Sequence, residues 1–212
     1  MLQPVIRRPK TAEDIATGVR LARREGKDIS PADVARVLSA AGVRYVIVGA
    51  HASNGYTGRP RATIDVDVIV QFPKKAAEAI AAAYPDLQVQ DTPVVTRFMK
   101  GEDEAIDLMK PGGSPLWGRL LQDSREISIG AQRVHIPTLE GVLEAKFAAM
   151  SSPHRRQGDK LIDAGDFVRV IEANNTIDSD VLAELGELVF SGGGAHLNKL
   201  VADARAGRRI EF

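Results

Sequence analysis

Residues 43–70 read VRYVIVGAHASNGYTGRPRATIDVDVIV, and the order of their side chains decides the architecture. Val43 to Val48 is a β-branched run of the kind that fills a buried strand. It breaks at Gly49-Ala-His-Ala-Ser53, small residues suited to a tight turn into a helix. A second strand is predicted over 62–70, where Asp65 and Asp67 stand two apart among Ile64, Val66, Val68 and Ile69. Strand residues i and i+2 share a face, about 6–7 Å apart. Two carboxylates there repel each other and are costly to bury, so a positive charge has to compensate. Arg59, Arg61 or divalent cations are the candidates. An edge strand with both aspartates in water is the plainer alternative, and Asp-x-Asp alone does not choose between them.

Outward from this stretch, the pattern alternates. Ser30-Pro31-Ala32-Asp33 is a helix start, with Ser30 as cap, Pro31 in the first turn and Asp33 closing a capping box. Val34, Val37, Leu38 and Ala41 make its apolar stripe, and Gly42 is the stop. A short helix is predicted over 12–25, and an alanine-rich one over 74–84, halted by Pro85. Two hairpins follow, 94–99 with 105–109 and 126–129 with 133–136. After Pro137 only helices are predicted, at about 138–150, 157–173, 178–190 and 195–206, with Ser191-Gly-Gly-Gly194 as a linker. The order predicts an α+β fold: an N-terminal helical extension (1–29), an α/β core (30–137) and a C-terminal helical cap (138–212).

Gly49 lets the backbone approach a ligand, and the helix amides after it favour phosphate. A third carboxylate, Asp107, lies between Ile106 and Leu108 in a later strand. Three strand-borne aspartates near such a turn fit metal-assisted phosphoryl or nucleotidyl transfer, and hard oxygen donors select Mg²⁺ or Mn²⁺.

Tyr45-Val-Ile-Val-Gly-Ala-His-Ala52, then Gly58-Arg-Pro-Arg-Ala-Thr-Ile-Asp-Val-Asp-Val-Ile-Val70, resembles the nucleotidyltransferase superfamily signature, in the pattern of AbiEii-like toxins and minimal nucleotidyltransferases. The resemblance extends through Ala105-Ile-Asp-Leu-Met109, Ile136-Pro-Thr-Leu-Glu140, Leu143-Glu-Ala-Lys146 and Lys160-Leu-Ile-Asp-Ala-Gly-Asp-Phe167, covering residues 32–172. It implies a mixed-sheet nucleotidyltransferase-like core and an NTP substrate, with Asp65, Asp67 and Asp107 as catalytic metal ligands. It places Gly49, Ala50, Ser53 and Arg61 at the nucleotide. It further implies an acceptor hydroxyl on RNA (tRNA) or protein, and an antitoxin partner if the chain is the toxin of such a pair. Where members carry Gly-Gly or Gly-Ser at the turn, this chain has Gly49-Ala50, which keeps the amide but lacks the hydroxyl; Ser53 is the candidate substitute.

Lys146 falls on the apolar stripe of its helix with Leu139, Val142, Leu143, Phe147 and Met150. Its ammonium either snorkels to water or pairs with the acidic site or nucleotide phosphates, and the resemblance implies the second, as a catalytic residue. Lys160 and Asp163 read as a surface pair, and His51 as a helix-surface histidine.

Composition narrows the rest. Lys plus Arg and Asp plus Glu are 28 each, which excludes a generally basic nucleic-acid binder, and zero cysteines exclude thiolate chemistry. Four histidines without an H-x-x-x-H pair argue against a histidine metal centre, and 5% aromatics against a base-stacking platform for single strands. Arg7, Arg8, Lys10, Arg20, Arg23, Arg24 and Lys27 form a basic N-terminal stretch, with smaller clusters at Arg155, Arg156 and Lys160 and at Arg205, Arg208 and Arg209. These read as solvated faces or phosphate contacts. With no apolar run for a secretory signal or a membrane span, a cytoplasmic protein is expected. Two further readings compete: a non-catalytic nucleotide or metal-binding module, and a glycosyltransferase using Asp-x-Asp. The short core and the turn before the dyad argue against the latter.

Overall fold

The computed structural model describes residues 9–23 and 29–212. Helices α1 (Thr11–Arg23) and α2 (Pro31–Ala40) lead into strand β1 (Tyr45–Ile47). Next come α3 (Gly49–Thr57), β2 (Val66–Val70) and α4 (Pro73–Ala83), then β3 (Gln88–Asp91), β4 (Val95–Lys100) and β5 (Asp103–Met109). The chain continues through α5 (Pro115–Gln122) and the hairpin of β6 (Arg125–Ile129) and β7 (Gln132–Ile136). It closes with α6 (Leu139–Ser151), α7 (Gln157–Ala173), α8 (Ser179–Glu187) and α9 (Gly193–Arg205). This is the α+β fold that the segment order predicts. Arg7, Arg8, Arg24 and Lys27 of the basic N-terminal stretch lie outside the described residues.

The main sheet has the order β1-β2-β5-β4-β3, with β2 and β5 parallel and the other neighbours antiparallel. Strand β2 is therefore internal, and the edge-strand reading of the two aspartates is overturned. Val66, Val68, Ile69 and Val70 are fully buried because neighbours cover β2 on both sides. The strand is shorter than predicted: it starts at Val66, so Asp65 stands just before it. Two elements gave little sequence signal. β3 is an exposed edge strand, polar but for Val89, and α5 is an eight-residue helix with Pro115 at its start and Leu116, Leu120 and Leu121 inward.

One apolar core joins α1, the sheet and the C-terminal helices: Ile15, Leu38, Phe98, Leu108, Phe147 and Phe167 are all completely buried in it. Each such side chain contributes roughly 1.5–3 kcal/mol. Helix α2 carries the expected capping box, Ser30 N–H donating to Asp33 Oδ2 at 3.1 Å and Asp33 N–H to Ser30 Oγ at 3.2 Å. The glycine linker proves to be packing. A Cβ on Gly186 would lie 2.6 Å from the Gly194 backbone, and one on Gly193 would lie 2.1 Å from the Gly186 carbonyl oxygen. Glycines thus bring α8 and α9 into backbone contact.

Candidate active site

Register builds the acidic half of the site. Asp67 on β2 lies directly beside Asp107 on β5, and Asp107 directly beside Arg97 on β4. Neighbouring strands are about 4.8 Å apart, so the three side chains form one row across the sheet. Arg97 grips Asp107 with two nitrogens, Nε 3.0 Å from Oδ1 and Nη2 2.9 Å from Oδ2. Asp65, half-buried, accepts from the Thr63 hydroxyl at 3.0 Å.

Gly49 sets the distance between this row and α3. Its φ is +63°, and a Cβ there would sit 1.9 Å from Asp67 Oδ2. Only glycine allows that backbone angle cheaply and lets the Asp67 carboxylate lie against the turn. Val48 N–H donates to the Asp67 carbonyl at 2.9 Å, which ties turn to strand. Val48 offers no side-chain cap to α3, so the first-turn amides form the partly positive end of a helix beside the carboxylates.

Burial, then Asp65 and Asp107, push the Asp67 carboxyl up to about 7, against the opposing pull of Lys146 and Arg155. This excess negative charge is what a hard divalent cation would neutralise, and carboxylate oxygens are the donors it prefers. Among the described residues no three acidic or histidine groups close round one point as a ready cage. A cation held by one or two carboxylates and completed by phosphate oxygens, the usual habit of Mg²⁺, needs no such cage.

A buried ionic cluster lies within electrostatic reach of Asp67. Lys146 Nζ lies 2.8 Å from Asp163 Oδ1 and 2.9 Å from Asp166 Oδ2, with all three side chains at most 5% exposed. Arg155 meets Asp163 at 2.6 Å, and Arg61 holds Asp166 through Nε at 3.0 Å and Nη2 at 2.9 Å. Lys146 therefore does not snorkel. The expected surface pair of Lys160 and Asp163 is also corrected: Asp163 and Asp166 share the buried stripe of α7 with Phe167 and Val170. Burial raises the Asp166 carboxyl, but Arg61 and Lys146 outweigh it and hold the group below its ordinary value. Arg61, expected at the nucleotide, is committed to Asp166. Asn54 pins its loop by accepting from Arg61 N–H at 3.0 Å and donating to the Arg61 carbonyl at 2.9 Å.

Gly49, Ser53, Asp67, Lys146, Arg155 and Asp163 contribute to the lining of one cavity of about 310 Å³, which Asp65, Arg97 and Asp107 do not line. Ser53 donates its hydroxyl to the Gly49 carbonyl at 3.1 Å, and Ala50 is buried. His51 is not on a helix surface. Every residue of α3 from Ala50 to Thr57 is buried, because α1, α6, α7 and β2 surround the helix. Burial pushes the His51 imidazole down to about 4, and its Nδ1 has no hydrogen-bond partner among the described residues.

Sequence reasoning missed Arg97, Asp163 and Asp166. Arg97 was recoverable from the register of its hairpin. The two acids were recoverable from their place on an apolar helical stripe.

No protein-family model matches the chain. No curated protein matches it. Among solved structures, an antigenic nucleotidyltransferase-like protein from Paracoccidioides brasiliensis aligns at TM-score 0.55 and 15% identity, over 96% of this chain and 97% of that one. JHP933 from Helicobacter pylori aligns at TM-score 0.49 and 18% identity, over 94% and 81%. The antibiotic-resistance factor ANT(2'')-Ia aligns at 0.47 and 15%, over 82% and 92%. The first of these shows a shared fold along nearly the whole of both chains.

Proposed function

From this nucleotidyltransferase-like fold, we propose that the chain is a metal-dependent nucleotidyltransferase that moves an NMP from an NTP to an acceptor hydroxyl. The observation that carries the reading is that Asp67, wedged against Gly49, and the Lys146–Arg155 cluster line one cavity. A carboxylate for a cation and cations for phosphate share a space of nucleotide scale.

The reaction forms a bond from the acceptor oxygen to the α-phosphorus and breaks the α–β bridge, so that pyrophosphate leaves and the hydroxyl proton passes to a base. Asp65 and Asp67 would hold Mg²⁺ or Mn²⁺, with Asp107 as a third donor and as the base that receives the proton once Arg97 yields its grip. A cation held there would supply charge neutralisation at the transferring and leaving phosphates. The amides at Gly49 and Ala50 and the ammonium of Lys146 orient the triphosphate, and Ser53 borders it. Catalysis of this kind is mostly positioning and charge stabilisation.

RNA, in particular tRNA, is the proposed acceptor over protein; the exposed Arg156 beside the cavity-lining Arg155 and the resemblance to AbiEii-like toxins support it. On that reading the chain works in the cytoplasm and has an antitoxin partner. Among the described residues no helix is long and apolar enough to cross a membrane.

Incubation with the four NTPs, Mg²⁺ and total cellular RNA, read as pyrophosphate release, tests the proposal. Transfer retained by Asp65→Ala or Asp67→Ala removes it. A second reading, a non-catalytic nucleotide-binding module, is favoured by the Arg97 grip on Asp107 and the missing hydroxyl at Ala50. Mg²⁺-dependent NTP binding without pyrophosphate release selects it.

A further inference from the structure

The cavity has a second half that the phosphate chemistry leaves unused. Trp117 of α5 and Met109 at the end of β5 line it, together with Ala145, Ala148 and Ala149 of α6, each half-buried. Met109, Trp117, Ala145 and Ala148 pack on the same apolar cluster with Val48, just past the end of β1. An indole that shares a cavity with three side chains stopping at Cβ offers a flat apolar surface on which a ring can lie. Gly49 and Asp67 line the same cavity.

We infer that Trp117 stacks on the base of the bound nucleoside triphosphate, with the α6 alanines as the opposite wall, and that the site selects purines by ring area without reading the base edge. The inference rests on the nucleotidyltransferase reading and adds its substrate class. The charged side chains of the cavity, Asp67, Lys146, Arg155 and Asp163, belong to the phosphate half. Apart from the hydroxyls of Ser53 and Ser152 and the indole N–H, the uncharged side chains of the lining carry only carbon and the thioether. A pocket with so few directed donors and acceptors discriminates poorly between bases of equal size, because little buried polar surface is left unpaired by the wrong one. Stacking accepts every base and grows with overlap. Adenine and guanine therefore bind alike, and cytosine and uracil bind more weakly.

Trp117 is the single tryptophan of the chain, so intrinsic fluorescence reports on it alone. The test titrates the full chain, with Mg²⁺, with ATP, GTP, CTP, UTP and inorganic triphosphate, and measures binding independently by equilibrium dialysis. ATP and GTP should quench the emission with dissociation constants within about fivefold of each other, CTP and UTP should bind about tenfold more weakly, and triphosphate should leave the emission unchanged. Trp117→Leu should raise KM for ATP by tenfold or more at nearly constant kcat, and Trp117→Phe should recover most of that loss. NTPs that bind and react without quenching, a Trp117→Leu enzyme with unchanged KM, or a preference beyond fiftyfold for one purine overturns the stacking inference and leaves the transferase reading standing. Absence of NTP binding in dialysis overturns both.

Discussion

Arg97 and Asp107 face each other across β4 and β5, and the guanidinium closes on the carboxylate with two bonds, at 3.0 and 2.9 Å. Its remaining nitrogen, Nη1, reaches Glu104 at 2.8 Å. A bidentate arginine offsets the charge of one carboxylate in a row that would otherwise hold two side by side. Arg97 thus stabilises the sheet by supplying a positive charge to the buried Asp107.

Arg97→Ala should leave Asp107 buried and uncompensated beside Asp67. Breaking a buried pair costs about 3–5 kcal/mol, and the partial exposure of Arg97 reduces this to about 1–3. Mg²⁺ should raise the Tm of this variant more than that of the parent in thermal melts. A variant with the parental Tm, or one indifferent to Mg²⁺, contradicts this account.

Gly49→Ala should be damaging out of proportion to its size. The methyl group collides with Asp67 Oδ2 and meets a φ of +63°. The backbone angle alone costs about 1–2 kcal/mol. Displacing Asp67 should lower kcat by about a hundredfold, since misplacements near 1 Å have that effect. Steady-state kinetics alongside urea denaturation separates the two losses.

Lys146→Met should cost about 3–5 kcal/mol in urea unfolding, because Asp163 and Asp166 lose a shared buried partner. Adding Asp163→Asn should recover part of that loss, giving a coupling between the sites in a double-mutant cycle. Strict additivity would show that Arg155 and Arg61 alone satisfy the two carboxylates.

Glu144 is completely buried on α6, neither carboxylate oxygen is hydrogen-bonded among the described residues, and burial pushes it up to about 8. The folded chain holds this proton more tightly than the unfolded chain does. Its contribution is complete below the ordinary glutamate value of 4.5, declines as the unfolded chain ionises, and is lost as pH passes about 8. Glu144→Gln should flatten the fall in Tm between pH 5 and about 8, and it should be the more stable protein at the alkaline end, by a few kcal/mol on the order of the shift. A parallel pH profile for the variant would show that water or another group serves Glu144.

Asp67→Asn should separate stability from function. Relief of the repulsion from Asp65 and Asp107 should raise Tm in metal-free buffer at pH 8, while pyrophosphate release disappears. A variant that is both less stable and inactive would mean that Asp67 serves the fold.

Much of the site could be read from local order. β-branched Val43–Val48, the small-residue turn at Gly49, and aspartates 65, 67 and 107 among apolar neighbours each carry a short-range signal. So do the capping box at Ser30 and the long C-terminal helices. The polar edge strand β3 was silent because an exposed edge needs no apolar pattern. His51 was misread because α3 is buried all round, and a helix shows its surroundings in sequence only when one face is left to water.

The sequence by itself determined that carboxylates stand among apolar strand residues close to a glycine turn, since strand period and hydrophobicity are local properties. Only the tertiary structure decided which charges answer them. Arg97 reached Asp107 through sheet register, while Lys146 and Arg61 were drawn to Asp163 and Asp166 on α7. Partner choice among buried ions depends on which elements pack together and shut out water, and no spacing along the chain encodes that.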